Sequence, residues 1–125
     1  MAAGKKIVLI EDEGELVLLI RNHLEDRGFK VECFQSGKEG INAIKISMPD
    51  LVLLDLKLPD MSGKEIYTQL RLGEHTKDIP VIFVTASTLI SDIENAFRIG
   101  VDDYVCKPIE LDVLLSKVKK VLKIK

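Results

Sequence analysis

Four short apolar runs lead into polar residues whose types could act together. Glu11 and Asp12 follow Lys6–Ile10, Asp55 ends Leu51–Asp55, Thr85 ends Val81–Thr85, and Lys107 follows Asp103–Cys106. Each has a plain structural explanation. Glu11 and Asp12 could cap a following helix or complement its dipole. Asp55 could be the polar end of a strand. Thr85 could cap the next helix, a role Ser87 or Thr88 would fill better. Lys107 could be a solvated lysine, and Pro108 an ordinary turn proline. Taken jointly, the set implies more. Three carboxylates brought together without an arginine in the same segments repel one another and raise their own pKa values. A hard divalent cation relieves this, and Mg²⁺ takes one or two carboxylates while leaving room for a phosphate oxygen. Lys107 adds a positive point charge suited to phosphate, and Thr85 adds a hydroxyl donor. These are the parts of phosphoryl transfer by positioning and charge neutralisation, with Asp55 as the nucleophile.

The elements that would position these residues follow from hydrophobic patterning. A fifth apolar run lies at Lys30–Phe34, and three of the five are nearly continuous in Val, Ile and Leu. That pattern suits strands of a parallel sheet covered on both faces. Amphipathic segments lie between and after the runs. Leu16, Ile20, Leu24 and Arg27 mark a first helical face; Ile41, Ile44 and Met48, stopped by Pro49, mark a second; Ile66, Leu70 and Tyr67 mark a third. Ile93, Ala96 and Phe97, closed by Gly100, mark a fourth, and Leu111, Leu114, Leu115, Val118 and Leu122 give the clearest spacing in the last. The order βαβαβαβαβα predicts an α/β, doubly wound (βα)5 parallel sheet with flavodoxin-like strand order 2-1-3-4-5. Ligands of such a fold bind beyond the carboxyl ends of the strands, where all the singled-out polar residues fall.

Composition narrows the function classes. The 125 residues, 46% hydrophobic and 30% charged, predict one ordinary globular domain over residues 1–125, structured from about residue 5 to 122. A net charge of −2 argues against direct nucleic-acid binding. Apolar runs such as residues 17–20 and 51–54 are far too short for membrane insertion, and the N-terminus lacks a signal-peptide pattern. Cys33 and Cys106 have no CxxC spacing and read as buried free thiols in a reducing cytosol.

Four ordered segments resemble the receiver domains of response regulators (CheY-like) in two-component phosphorelay signalling. They are Val8-Leu9-Ile10-Glu11-Asp12, the stretch from Asp50 through Asp55 to Gly63, Ile79-Pro80-Val81-Ile82-Phe83-Val84-Thr85-Ala86, and Gly100-Val101-Asp102-Asp103-Tyr104-Val105-Cys106-Lys107-Pro108. The resemblance implies that Asp55 is the phosphoacceptor. It implies Asp12 as a direct Mg²⁺ ligand, Glu11 as its partner acting through water, and the Lys57 backbone carbonyl as a further ligand. Lys107 resembles the phosphate-binding lysine, with a cis bond to Pro108, and Thr85 and Tyr104 resemble the switch pair. Lys57 and Ser87 occupy positions that tune phosphate lifetime in this family. The one departure is Glu-Asp in place of the commoner Asp-Asp, and the longer Glu11 reaches the same region.

The implied function is a cytoplasmic signalling switch, not an enzyme turning over a free substrate. A histidine kinase or histidine phosphotransfer protein supplies the phosphoryl group, and the face of helix 4, strand 5 and helix 5 acts on a downstream protein target or output domain. The chain fits either a single-domain regulator or a receiver excised from a hybrid kinase or longer regulator. A haloacid-dehalogenase-like phosphohydrolase would need a second Asp where Lys57 stands, and a flavodoxin-like nucleotide binder would need a Gly- or Ser/Thr-rich loop in place of Glu11-Asp12-Glu13. A pseudo-receiver would lack the acceptor, the lysine or an acid. On the first helix, Leu18 points about 200° from Leu16, so Val17 and Leu18 are expected at the surface as a docking patch or as scattered hydrophobes. His23 is expected to be packed, and lysines 117, 119, 120, 123 and 125 to stay solvated at the end of the last helix.

Overall fold

The computed structural model describes residues 4–125, so the N-terminal reading over residues 1–3 lies outside the described residues. Five strands alternate with five helices: β1 (Lys6–Ile10), α1 (Gly14–Glu25), β2 (Lys30–Phe34), α2 (Gly37–Ser47), β3 (Leu51–Asp55), α3 (Gly63–Leu72), β4 (Val81–Thr85), α4 (Ile90–Arg98), β5 (Asp103–Cys106) and α5 (Leu111–Leu122). The strands are all parallel and lie in the order β2-β1-β3-β4-β5. Both expectations, doubly wound α/β and order 2-1-3-4-5, are met.

The continuous apolar runs are explained by burial on both sheet faces. Every residue of β3 and β4 is buried. Alternate residues then divide between two cores, as a period of two requires. Ile7, Leu9, Leu51, Leu53, Ile82 and Val84 pack with α1 and α5. Val8, Ile10, Val52, Leu54, Val81 and Phe83 pack with α2, α3 and α4. Ser36 and Ser62 cap α2 and α3 by accepting from the backbone N–H of Glu39 and Glu65, so each opens on a Ser-x-x-Glu signature.

Several details differ from the pattern-based faces. The buried stripe of α1 is Val17, Ile20 and Leu24, with Leu16 half-buried at its flank, so Val17 is not a surface residue. Leu18 and Leu19 are the exposed pair, at 58% and 55%. Arg27 lies past the last turn of α1 in a bend completed by Gly28 at φ 93, and it is exposed. Met48 is the left-handed C-cap of α2, at φ 47, which carries it off the Ile41–Ile44 stripe. The short α4 rests on the sheet through Ala96, and Phe97 at its flank is 46% exposed. Cys33 and Cys106 are free but only half-buried. Lys117 is only part-exposed, and its ammonium bridges the Tyr104 carbonyl at 2.5 Å and Asp103 Oδ1 at 3.4 Å, fixing α5 to β5.

The start of α3 is pressed against the end of β3. A Cβ at Gly63 would lie 2.5 Å from the Asp55 carbonyl oxygen and 2.8 Å from Leu56 Cα. Both are backbone atoms, so the helix itself would have to move. Gly63→Ala should lower unfolding free energy by about 1–3 kcal/mol, the usual scale of overpacking, as read from urea denaturation. An unchanged midpoint would contradict this contact.

Candidate functional site

The parallel register brings the carboxyl ends of β1, β3 and β5 together. Glu11 and Asp12 leave β1, Asp55 ends β3, and Lys107 follows β5. One carboxylate oxygen from each of Glu11, Asp12 and Asp55 lies within 4.8 Å of the other two. Glu11 is fully buried and Asp55 nearly so, while Asp12 is exposed. Lys107 reaches into this group from the end of β5. Its Nζ lies 2.9 Å from Glu11 Oε1, 3.4 Å from Asp55 Oδ2 and 3.6 Å from Glu13 Oε1.

Local backbone geometry aims these carboxylates. The Glu13 N–H donates to Glu11 Oε2 at 3.0 Å, and the Lys57 N–H donates to Asp55 Oδ1 at 3.1 Å. Each carboxylate is thus held by the amide two residues on, leaving its second oxygen for the centre of the site. Glu11 Oε1 is buried, with the Lys107 ammonium 2.9 Å away as its close polar neighbour. Burial pushes the Glu11 carboxyl up to about 7, assisted by the Asp55 charge and opposed by the Glu13 amide and Lys107. Burial alone would lower the Lys107 pKa, but its hydrogen bond and attraction to Glu11, with Asp55 and Glu13 behind, raise it. A set of clustered, all-oxygen, incompletely neutralised donors fits a hard divalent cation such as Mg²⁺.

The other expected site residues lie beside this cluster. Thr85 is buried on β4, whose residue Val84 is in register with Asp55. Its Oγ1 accepts from the Ser87 N–H at 3.3 Å. It does not cap α4, whose N-cap is Leu89 without a side-chain bond. Tyr104 points inward, and its hydroxyl donates to the Ser87 carbonyl at 3.1 Å. Burial raises its pKa. Lys107-Pro108 is a cis peptide. His23 lies apart from the cluster, half-buried with Nε2 3.5 Å from Asp112 Oδ1.

Three contributors were not singled out by the sequence pattern. Glu13 is a third carboxylate on Lys107. Asp60 accepts from the Gly37 and Lys38 amides at 2.8 and 3.0 Å, which ties the β3–α3 loop to the start of α2 and holds its carboxyl below the usual range. Asp92 accepts from Ser87 Oγ at 2.6 Å, pinning the β4–α4 loop. Asp60 and Asp92 are ordinary surface acids in type and spacing, so only the folded loops reveal their partners.

Comparison with known proteins places this geometry. Residues 7–119 match the family model of the response regulator receiver domain. The phosphate regulon transcriptional regulatory protein PhoB of Rhizobium meliloti is 37% identical over 94% of this chain and 52% of its own length. The transcriptional regulatory protein RprY of Bacteroides fragilis is 33% identical over 94% of this chain and 49% of its own. The chain therefore spans about half the length of these curated relatives. The non-phosphorylated HemR receiver domain of Leptospira biflexa superposes with a TM-score of 0.87 at 29% identity, covering 97% of this chain and 96% of that one. The sequence match across nearly every element, carried on a sheet of the same fold, means that this chain belongs to the response regulator receiver domain family.

Proposed function

We propose that this receiver domain takes a phosphoryl group from a phosphohistidine of a histidine kinase or phosphotransfer protein onto Asp55. The observation that carries the reading is the Asp55 carboxylate itself, buried at the end of β3 with Oδ2 3.4 Å from Lys107 Nζ and two further acids beside it. An Asp55 carboxylate oxygen attacks phosphorus, a P–O bond forms, and the P–N bond to the donor imidazole breaks with its electron pair returning to nitrogen. Asp12, Asp55, Glu11 and the Lys57 carbonyl would hold Mg²⁺, which would supply neutralisation of charge on the transferring group. Lys107 pairs with a phosphoryl oxygen, exchanging carboxylate partners for it. Water later attacks the same phosphorus, releasing phosphate and restoring the carboxylate.

The output is a population shift. Phosphate adds charge and acceptor oxygens next to β4. Thr85 donates to them and leaves the Ser87 amide, and Ser87 carries the change to Tyr104 and the face of α4, β5 and α5. A downstream protein target, or an output domain of the same polypeptide, reads that face. The domain works as a unit over residues 1–125 in the cytoplasm. It is a switch that assists its own modification and reversal, and it makes no direct nucleic-acid contact. No helix among the described residues is long and apolar enough to cross a membrane.

Three measurements test this reading. Intact mass after incubation with acetyl phosphate should show one added phosphoryl group that requires Mg²⁺ and is absent from Asp55→Asn; a label that persists in the variant would place the acceptor elsewhere. Thr85→Ala should still bind beryllofluoride but lose most of the amide NMR shifts that the wild type shows across α4 and β5. Identical shifts in the two proteins would remove Thr85 from the switch. The third concerns pH. In EDTA, the folded state holds Glu11 protonated up to about 7, against an ordinary value of 4.5. That stabilisation is full below the unfolded value and is lost as pH rises through about 7. The urea midpoint of the metal-free protein should therefore fall across this window, and Glu11→Gln should flatten the fall; an equal slope in both proteins would acquit Glu11.

A further inference from the structure

Glu13 sits at the N-cap of α1 in an extended backbone conformation, at φ −78 and ψ 104, where a short polar side chain would normally bind a first-turn amide. Its side chain makes no such bond. Only its backbone serves the turn: its N–H donates to Glu11 Oε2, and its carbonyl accepts from the Val17 N–H at 2.9 Å. The carboxylate reaches instead across the mouth of the site and stops 3.6 Å from Lys107 Nζ. Lys107 is 15% exposed and Glu13 61%, so the two meet where the site opens to water.

Lys107 is therefore shared among three carboxylates, two buried and one at the rim. The buried pair is built into strand ends. The rim carboxylate is mobile in principle and is free of any capping duty. An anion that arrives on Asp55 must compete for the same ammonium and pass the rim charge. A cation that arrives at Glu11, Asp12 and Asp55 is drawn by that charge.

We propose that Glu13 is a positioning residue that holds Lys107 at the mouth of the site and sets the electrostatic balance there, opposing anion capture on Asp55 and favouring cation entry. The inference rests on the reading of Asp55 and Lys107 as the phosphoryl site. Glu13 touches neither the reacting atoms nor the cation in this account; it acts through the ammonium and through its own field. Because it is mostly exposed, its effect is that of a screened pair, about two- to fivefold in a binding constant, and it shrinks at high ionic strength.

The test uses Glu13→Gln, which keeps the length of the side chain and both backbone bonds of the turn, with Glu15→Gln as a control for net charge. Glu15 is an exposed acid in the first turn of α1. Two constants are measured by calorimetry: Mg²⁺ alone, and beryllofluoride at saturating Mg²⁺. Glu13→Gln should weaken Mg²⁺ binding and tighten beryllofluoride binding, each about two- to fivefold, and half-molar NaCl should reduce both differences. Glu15→Gln should move both constants much less. Opposite signs for cation and anion are the signature of charge, since a distorted site would bind both more weakly. Shifts of the same sign, or no shift while the wild type binds normally, would overturn the role of Glu13 alone. A wild type that fails to bind beryllofluoride at saturating Mg²⁺ would overturn the phosphoryl site and this inference with it.

Discussion

A single ammonium faces three carboxylates at the end of the sheet, and a fourth, Asp12, stands beside them. This local excess of negative charge is the constraint on which the rest of the site depends. It is costly because Glu11 and Asp55 are buried, where unpaired charge is poorly tolerated. The chain reduces the cost in three ways: Lys107 lies among the acids, backbone amides of Glu13 and Lys57 each bind one carboxylate oxygen, and the Glu11 carboxyl is pushed up to about 7. None of these removes the deficit. A site left short of positive charge has the donor set that a hard divalent cation would satisfy, which is the chemistry on which the proposed phosphoryl transfer rests.

The fold makes that arrangement possible by keeping the strand ends rigid. Parallel strands have all their carboxyl ends on one edge, so polar residues far apart in sequence meet there without long loops. The central strands are buried throughout, and their side chains divide between two cores that clamp the sheet from both faces. The helices behind the site are set by close contacts of the same kind. Gly63 lets α3 begin against the Asp55 carbonyl, and Asp60 ties the intervening loop to the first amides of α2. The β3–α3 loop is thus held at both ends by interactions outside the cluster of Glu11, Asp12 and Asp55 side chains.

The strands were legible down to their end residues because continuous apolar runs bounded by charge have few other readings. The strand-end acids and Lys107 were legible for the same reason, since topology alone brings them together. Helix faces were less so. Leu16 and Val17 are adjacent and both apolar, and only the angle at which α1 meets the sheet decides that Val17 is the buried one. Met48 and Phe97 carry apolar side chains on a helical period but lie where the helix ends or lacks a deep contact. Lys117 looks like its neighbouring lysines in sequence, yet the packing of α5 beside β5 places the Tyr104 carbonyl within its reach. Loop partners such as Ser87 and Asp92 have no periodicity to betray them at all.

Those loop partners determine how a change at Asp55 could travel. Ser87 links Thr85, Tyr104 and α4: its amide is bound to Thr85 Oγ1, its carbonyl accepts from Tyr104, and its hydroxyl donates to Asp92 on α4. A movement of Thr85 toward an added phosphate, as proposed, would loosen one end of this chain of bonds, and the other two ends would respond. The load opposing that response is small. α4 buries only Ala96 fully and leaves Leu89, Ile90 and Phe97 exposed, so little apolar contact holds it to the sheet. Moving a two-state element from 1:99 to 99:1 takes about 5.5 kcal/mol of differential interaction. Charge-assisted hydrogen bonds to a new dianion supply energies of a few kcal/mol. A tightly packed core helix would resist such a bias, whereas a short, shallowly seated helix with its entry loop pinned at one residue can follow it.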